Sequence, residues 1–200
     1  MKELGLVCRM RMKKYRSYKG EVGKIAPNLL ERNFQAEKPN QKWATDITEF
    51  SQFGQKLYQS PILDMYNGEI ISYGISERAN FERITEMLDK AFTRIPEGTD
   101  LIFHSDQGWQ YQNARYQKRL LDKGTRQSMY RKGNCLYNAV MENFFGLLKS
   151  ELLYLREFRS FEDSRTELEL YSEYYNHKRI KVKLNGLSPV QYRIKAAFAA

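Results

Sequence analysis

Between Asn80 and Ile95 the apolar residues Ile84, Met87, Leu88, Ala91, Phe92 and Ile95 recur at the spacing of one helical face, and Pro96 with Gly98 closes the run. Strand-like segments lie on both sides of it. Trp43 to Phe50 mixes β-branched and aromatic residues, Lys56 to Leu63 is a second such run, and Glu69 to Ile75 a third. The second and third meet at Asn67-Gly68, which reads as a type I′ hairpin turn with positive φ at both central residues. Beyond the helix, Leu101 to His104 is a short apolar strand. A helix that follows an antiparallel meander and feeds a further strand is a crossover, so the sheet is mixed and its crossovers right-handed.

Asn113 to Lys123 reads as a helix stopped by Gly124, Thr125 to Tyr130 as a fifth strand, and Arg131 to Tyr137 as a loop around Gly133-Asn134. One long helix is expected from about Asn138 to Phe158, another from Phe161 to Tyr175, then a basic tail. The order predicts an α/β chain with a mixed five-stranded sheet, three antiparallel strands then parallel crossovers, flanked by helices. A ribonuclease H-like fold satisfies it. Ahead of the sheet, residues 1–24 form a basic arm, and Glu21 to Gln41, with Pro27 and Pro39, reads as a linker wrapping onto the domain. The expected division is an arm and linker over 1–41, a core over 42–158, and a helix and basic tail over 159–200.

Several classes fall away. No stretch approaches the roughly 18 apolar residues of a membrane span, and the N-terminus lacks a signal-peptide core. Cys8 and Cys135 with His104 and His177 cannot assemble a zinc finger, and the cysteine usage suits a reduced, cytoplasmic chain. No Walker A or dinucleotide loop occurs, and fourteen tyrosines beside two histidines give no tyrosine-recombinase pattern. Lys plus Arg number 33 against 24 Asp plus Glu, a net +9. Residues 1–24, 118–132 and 176–195 carry +6, +5 and +6, which leaves −8 on the rest. Basic blocks around an acidic body point to a polyanion held beside bound cations.

A divalent-metal phosphoryl-transfer site needs converging carboxylates, because Mg²⁺ takes hard oxygen ligands. Asp46 lies within the strand Trp43-Ala44-Thr45-Asp46-Ile47-Thr48, where a buried carboxylate must be paired or metal-bound. Asp106 lies just past the fourth strand, at the carboxyl end where open α/β sheets place their crevices. Glu142 is on the long helix. At about 100° per residue, Asn138, Gly146, Lys149, Leu153 and Arg156 fall within roughly 40° of it, opposite an apolar face of Val140, Met141, Phe144, Phe145, Leu147, Leu148, Leu152 and Leu155. Asp64 reads better as a turn cap, Glu49 faces the other side of its strand, and His104 reads as a structural or substrate-positioning group.

Asp46, Asp106 and Glu142 leave 59 and 35 intervening residues and stand in Trp-Ala-Thr-Asp-Ile-Thr, His-Ser-Asp-Gln-Gly and Asn-Ala-Val-Met-Glu-Asn-Phe-Phe-Gly-Leu-Leu-Lys. With Arg131-Lys132-Gly133-Asn134-Cys135, Tyr174-Tyr175-Asn176-His177-Lys178-Arg179 and Leu184-Asn185-Gly186-Leu187-Ser188-Pro189, nearly the whole chain resembles the DDE catalytic core of retroviral-type integrases and insertion-sequence transposases. More specifically, it resembles the second-frame (OrfB) transposases of the Insertion Sequence Three family. That resemblance implies Mg²⁺-dependent DNA strand cleavage and strand transfer, with Mn²⁺ able to substitute. Asp46, Asp106 and Glu142 would be the catalytic acids and metal ligands, holding two ions about 3.5–4 Å apart.

The implied partners are DNA, both transposon ends and target, and further copies of the chain assembled on it, with no membrane and a nucleoid-associated location. Lys149 matches the family's contact to the element end. Arg131, Lys132, Lys178 and Arg179 are expected phosphate contacts, joined by Asn138 and Arg156 from the Glu142 stripe. Family members carry an upstream helix-turn-helix, so residues 1–41 read as its remnant, and Tyr137 stands where the family usually has Asp. The alternatives are a truncated, non-catalytic DNA-binding remnant that inhibits or partners a full-length transposase, and a cellular nuclease using only water.

Overall fold

The computed structural model describes residues 23–130 and 138–198. The strands are β1 (Lys42–Thr45), β2 (Thr48–Gln52), β3 (Gln55–Asp64), β4 (Ile70–Ser76), β5 (Ile102–Ser105) and β6 (Arg126–Met129). The α-helices are α1 (Phe81–Phe92), α2 (Trp109–Gln112), α3 (Ala114–Asp122), α4 (Ala139–Leu148), α5 (Phe161–His177) and α6 (Pro189–Phe198). One side of β3 pairs antiparallel with both β2 and β1, and the other side with β4. β1 then pairs parallel with β5, and β5 parallel with β6. The sheet is therefore mixed, with the meander and crossovers expected.

The first strand departs from expectation. Thr45 pairs with Ile62 and Thr48 with Gln59, so β1 and β2 are two halves of one strand in a single register, interrupted at Asp46 and Ile47. That register puts Asp46 opposite Pro61, which has no N–H for a ladder. The Ile47 N–H turns instead to Asp46 Oδ1 at 2.7 Å. The hairpin also differs. Among the described residues of this turn only Gly68 has positive φ, at 72°, and the loop spans Met65 to Gly68, closed by Asp64 N–H to the Glu69 carbonyl at 2.9 Å. Asp64 Oδ1 accepts the Tyr66 N–H at 3.0 Å, so the turn-capping role holds.

The period of two sends neighbours on a strand into different cores. Trp43, Ile62 and Phe103 pack with α1 and α3 on one face, while Ala44, Leu57, Leu63 and Ile75 pack with α4 and α5 on the other. Asn80 caps α1, Asn113 caps α3 and Ser160 caps α5, each accepting a first-turn N–H. The segment before β1 covers the outer edge of β6: the Met129 N–H reaches the Pro27 carbonyl at 3.2 Å, and the Leu29 N–H reaches Ser128 Oγ at 2.9 Å.

The long helix expected from Asn138 to Phe158 is shorter. After α4 the chain passes through one π-helical stretch, Lys149–Leu153, and leaves the helix at Tyr154. The extra residue in that stretch rotates the side chains after it by roughly 100°. Leu155, expected on the apolar face, is consequently 79% exposed, and Arg156 has turned to pair with Glu167. Among the described residues, no helix is long and apolar enough to cross a membrane.

Candidate active site

β1 and β5 lie in parallel register with Lys42, Trp43 and Ala44 beside Ile102, Phe103 and His104. The offset is constant at 60 residues, which is also the separation of Asp46 and Asp106. The two acids therefore leave neighbouring strands side by side, one residue beyond each strand's carboxyl end, where strand axes are about 4.8 Å apart. By alternation both fall on the face covered by α4, since Ala44 packs in the α4 core and Thr45 turns the other way, its Oγ1 3.5 Å from Tyr111 Oη.

Each carboxylate is held by its own backbone turn. Asp46 Oδ1 accepts the Ile47 N–H at 2.7 Å, and Asp106 Oδ1 accepts the Gly108 N–H at 2.8 Å. Asp46 Oδ2 accepts from Asn138 Nδ2 at 3.0 Å. Burial, and then the charge of Asp106, push the Asp46 carboxyl up to about 7, against the hydrogen bonds from Ile47 and Asn138. The charge of Glu142 adds the least. Around the pair, burial holds the Tyr111 and Tyr130 phenols well above their ordinary range, so both stay protonated.

Gly108 fits a close approach. A Cβ there would stand 2.8 Å from Asp106 Oδ1 and 2.4 Å from Gln110 Nε2. Gln110 can swing aside, but the short Asp106 side chain cannot without leaving its turn. Gly108→Ala is expected to weaken Mn²⁺ binding about tenfold while moving the melting temperature little, measured by titration calorimetry and thermal unfolding. Unchanged binding would show that Asp106 needs no such freedom.

Glu142 sits in the first turn of α4, exposed, its N–H donated to the Asn138 carbonyl at 2.9 Å. Among the described residues no group of three or more His, Cys, Asp or Glu side chains stands close enough to hold a metal ion. The structure thus brings two of the three expected acids together and leaves the third on the adjoining helix turn. The donor set nevertheless suits a hard divalent cation: two carboxylates side by side, one burdened by the other's charge, with a third on the helix whose leading residue, Asn138, bonds the first.

The other expected residues divide. Asn138 is buried, 4% exposed, with its amide donating to Asp46 and to Tyr130 Oη at 2.9 Å. Lys149 is half-buried and Lys178 exposed, and neither forms an ion pair with a described residue. Arg156 is paired with Glu167, and Arg179 grips Glu151 through Nε at 2.8 Å and Nη2 at 2.5 Å. Arg131, Lys132 and Tyr137 lie outside the described residues. The space around Gly146 is open. His104 is buried, its Nδ1 2.9 Å from Ser128 Oγ and its ring near those of Phe34 and Tyr130. Sequence reasoning missed Gly108 and the inward turn of Asn138; the Asn set four residues ahead of Glu142 was the available signal.

Two integrase core domain models match the chain, over residues 36–135 and 142–196. The putative transposase InsK of insertion sequence element IS150 from Escherichia coli is 51% identical over 193 residues, covering 96% of this chain and 68% of that protein. A transposase-like protein of Haemophilus influenzae is 54% identical over 196 residues, covering 98% and 90%. Among solved structures, the HTLV-2 integrase catalytic core domain in complex with magnesium superposes with a TM-score of 0.60 at 16% identity, covering 78% of this chain and 98% of that one. That likeness concerns the fold alone, which is ribonuclease H-like as the strand order predicted. With matches across both halves and half of all aligned residues shared with InsK, the chain belongs to the integrase core family, among the transposases of insertion sequences.

Proposed function

We propose that the protein cuts and joins DNA strands at the ends of an insertion sequence, with Asp46, Asp106 and Glu142 as the catalytic acids of a Mg²⁺-dependent polynucleotidyl transferase. The observation that supports this most directly is the parallel register that sets Asp46 beside Asp106. Asp46 and Asp106 offer hard oxygen ligands from rigid strand ends, and Glu142 supplies the third from α4. Mg²⁺ bound there would supply the charge that activates an attacking water or 3′-hydroxyl and offsets the charge on the leaving oxygen. The chain's own part is to hold the carboxylates: Ile47 and Asn138 grip Asp46, Gly108 grips Asp106, and buried Tyr111 backs Thr45 from the first core.

The DNA backbone is assigned to Lys149 and Lys178, with Arg131 and Lys132 from the adjoining segment. Arg156 and Arg179 would have to release Glu167 and Glu151 to reach a phosphate, so their charges serve the fold first. Such contacts position DNA without reading its sequence. Assembly of several copies on paired DNA ends belongs to the same reading.

The test offers the purified protein a duplex bearing the element's terminal repeat with a free 3′-hydroxyl, a target plasmid and Mg²⁺. Joined products, lost on chelation, are the expected result. Hydrolysis with no joining would make the protein a nuclease, and DNA binding with no cleavage in either Mg²⁺ or Mn²⁺ would make it a non-catalytic remnant.

A further inference from the structure

We infer that Asn138 is the positioning residue of this centre: its amide, locked by Tyr130, aims the Asp46 carboxylate and fastens it to the helix turn that carries Glu142. This rests on the reading of those acids as catalytic. The chain contains its own comparison. Asn80 and Asn113 occupy the same position ahead of α1 and α3, and each gives its side-chain oxygen to a first-turn N–H, of Glu82 at 2.9 Å and of Arg115 at 2.9 Å. Asn138 ahead of α4 makes no such cap, forgoing about 1 kcal/mol of helix stabilisation.

Its amide is committed elsewhere. Both Nδ2 hydrogens are taken, by Asp46 Oδ2 at 3.0 Å and Tyr130 Oη at 2.9 Å. The amide presents its nitrogen to both partners, and this pairing sets which end of it faces Asp46. With Ile47 on Oδ1, the Asp46 carboxylate is gripped at both oxygens, once from its own strand and once from α4. The Asn138 backbone carbonyl meanwhile accepts the N–H of Glu142. Tyr130 extends the brace toward Asp106: its N–H reaches the Ser105 carbonyl at 3.2 Å, next to Asp106, and its ring lies 5.4 Å from that of His104 on the same strand. The amide, backed by the phenol, thus bonds Asp46, while the main chains of the same two residues bond Glu142 and the strand end before Asp106.

Partners of this kind govern ligand orientation, and their loss typically weakens metal affinity or activity roughly 10–100-fold. Asn138→Ala is therefore expected to raise the Mn²⁺ dissociation constant roughly 10–100-fold and slow joining comparably, with DNA affinity within about twofold of the parent. Tyr130→Phe, which frees the amide to flip but keeps the packing, should show a smaller shift in the same direction. Unchanged Mn²⁺ affinity in Asn138→Ala with weakened DNA binding would overturn the proposal and make Asn138 a DNA contact. Side-chain amide resonances test the contact without metal. Those of Asn138 should move in Asp46→Ala and in Tyr130→Phe, and resonances indifferent to both would overturn it. A parent protein that binds no Mn²⁺ while these resonances do move would refute the metal-dependent chemistry and leave the brace standing.

Discussion

Asp46→Asn is expected to abolish Mg²⁺-dependent strand joining, by at least about a thousandfold, and in the same molecule to raise the melting temperature of the metal-free protein at pH 8. The two effects share one cause. Asp46 is pushed from 3.8 up to about 7, first by burial and then by Asp106 beside it, so an ionised pair strains the fold when no cation is bound. The shift corresponds to about 4 kcal/mol at most. Asn removes the charge but turns an N–H toward the Asn138 donor, which returns about 1–2 kcal/mol of that gain. A net rise of roughly 3–8 °C is the result for a domain of this size.

The pH dependence has a definite sign. Folded Asp46 keeps its proton to about pH 7, whereas the unfolded chain releases it near 3.8. Between those values the folded state binds more protons, so the parent loses stability as pH rises from about 4 to about 7. The variant has no such loss at this position. Its advantage is therefore widest at pH 8 and closes toward pH 4, and, on the proposed role of Asp46, Mg²⁺ is expected to raise the melting temperature of the parent alone. Thermal unfolding of both proteins across pH, with and without Mg²⁺, measures this. A gap that is absent at pH 8 would mean that the aspartates carry no mutual strain.

How far the sequence reached depended on what kind of order was involved. Asp46 and Asp106 could be picked out because each stands in or just past a strand legible in its own local sequence, while their adjacency came from the parallel register. The apolar face of α1 was legible for a similar local reason. The break in the first strand was not, because its cause, Pro61, sits on a different strand and acts only once the register is set. The π turn was invisible too. Glu151 there is held by Tyr171 Oη at 3.0 Å and by Arg179, partners 20 and 28 residues further along the chain. That same turn removed Arg156 from the Glu142 stripe, since a stripe drawn at one fixed angle cannot survive an inserted residue. Asn138 was singled out for the right face of the helix but for an outward role, because periodicity does not reveal whether a polar stripe meets solvent or another polar group.

The basic block at 176–195 makes the same point with a larger consequence. Read as a phosphate-binding tail, it contains Arg193, which the fold has turned inward. Arg193 on α6 pairs with Asp64 and, at 2.5 Å, with Glu69, while Arg94 from beyond α1 reaches Glu69 at 2.6 Å. Asp64 and Glu69 are 0% and 1% exposed, so neither charge can turn to water if its partner is removed. Arg193→Met is accordingly expected to cost about 3–5 kcal/mol, roughly 6–15 °C in melting temperature. Asp64 already titrates above its ordinary value because burial outweighs its hydrogen bonds and Arg193. Losing Arg193 raises it further, so the deficit of the variant is larger at pH 8 than at pH 5. Asp64 pairs with Trp43 at the start of β1, the opposite end of that strand from Asp46, and DNA joining measured well below the melting temperature should persist. Adding Asp64→Asn and Glu69→Gln to Arg193→Met removes the stranded charges and should restore most of the stability. A single variant as stable as the parent would show that α6 is held by its apolar contacts and that Arg193 is free to meet DNA.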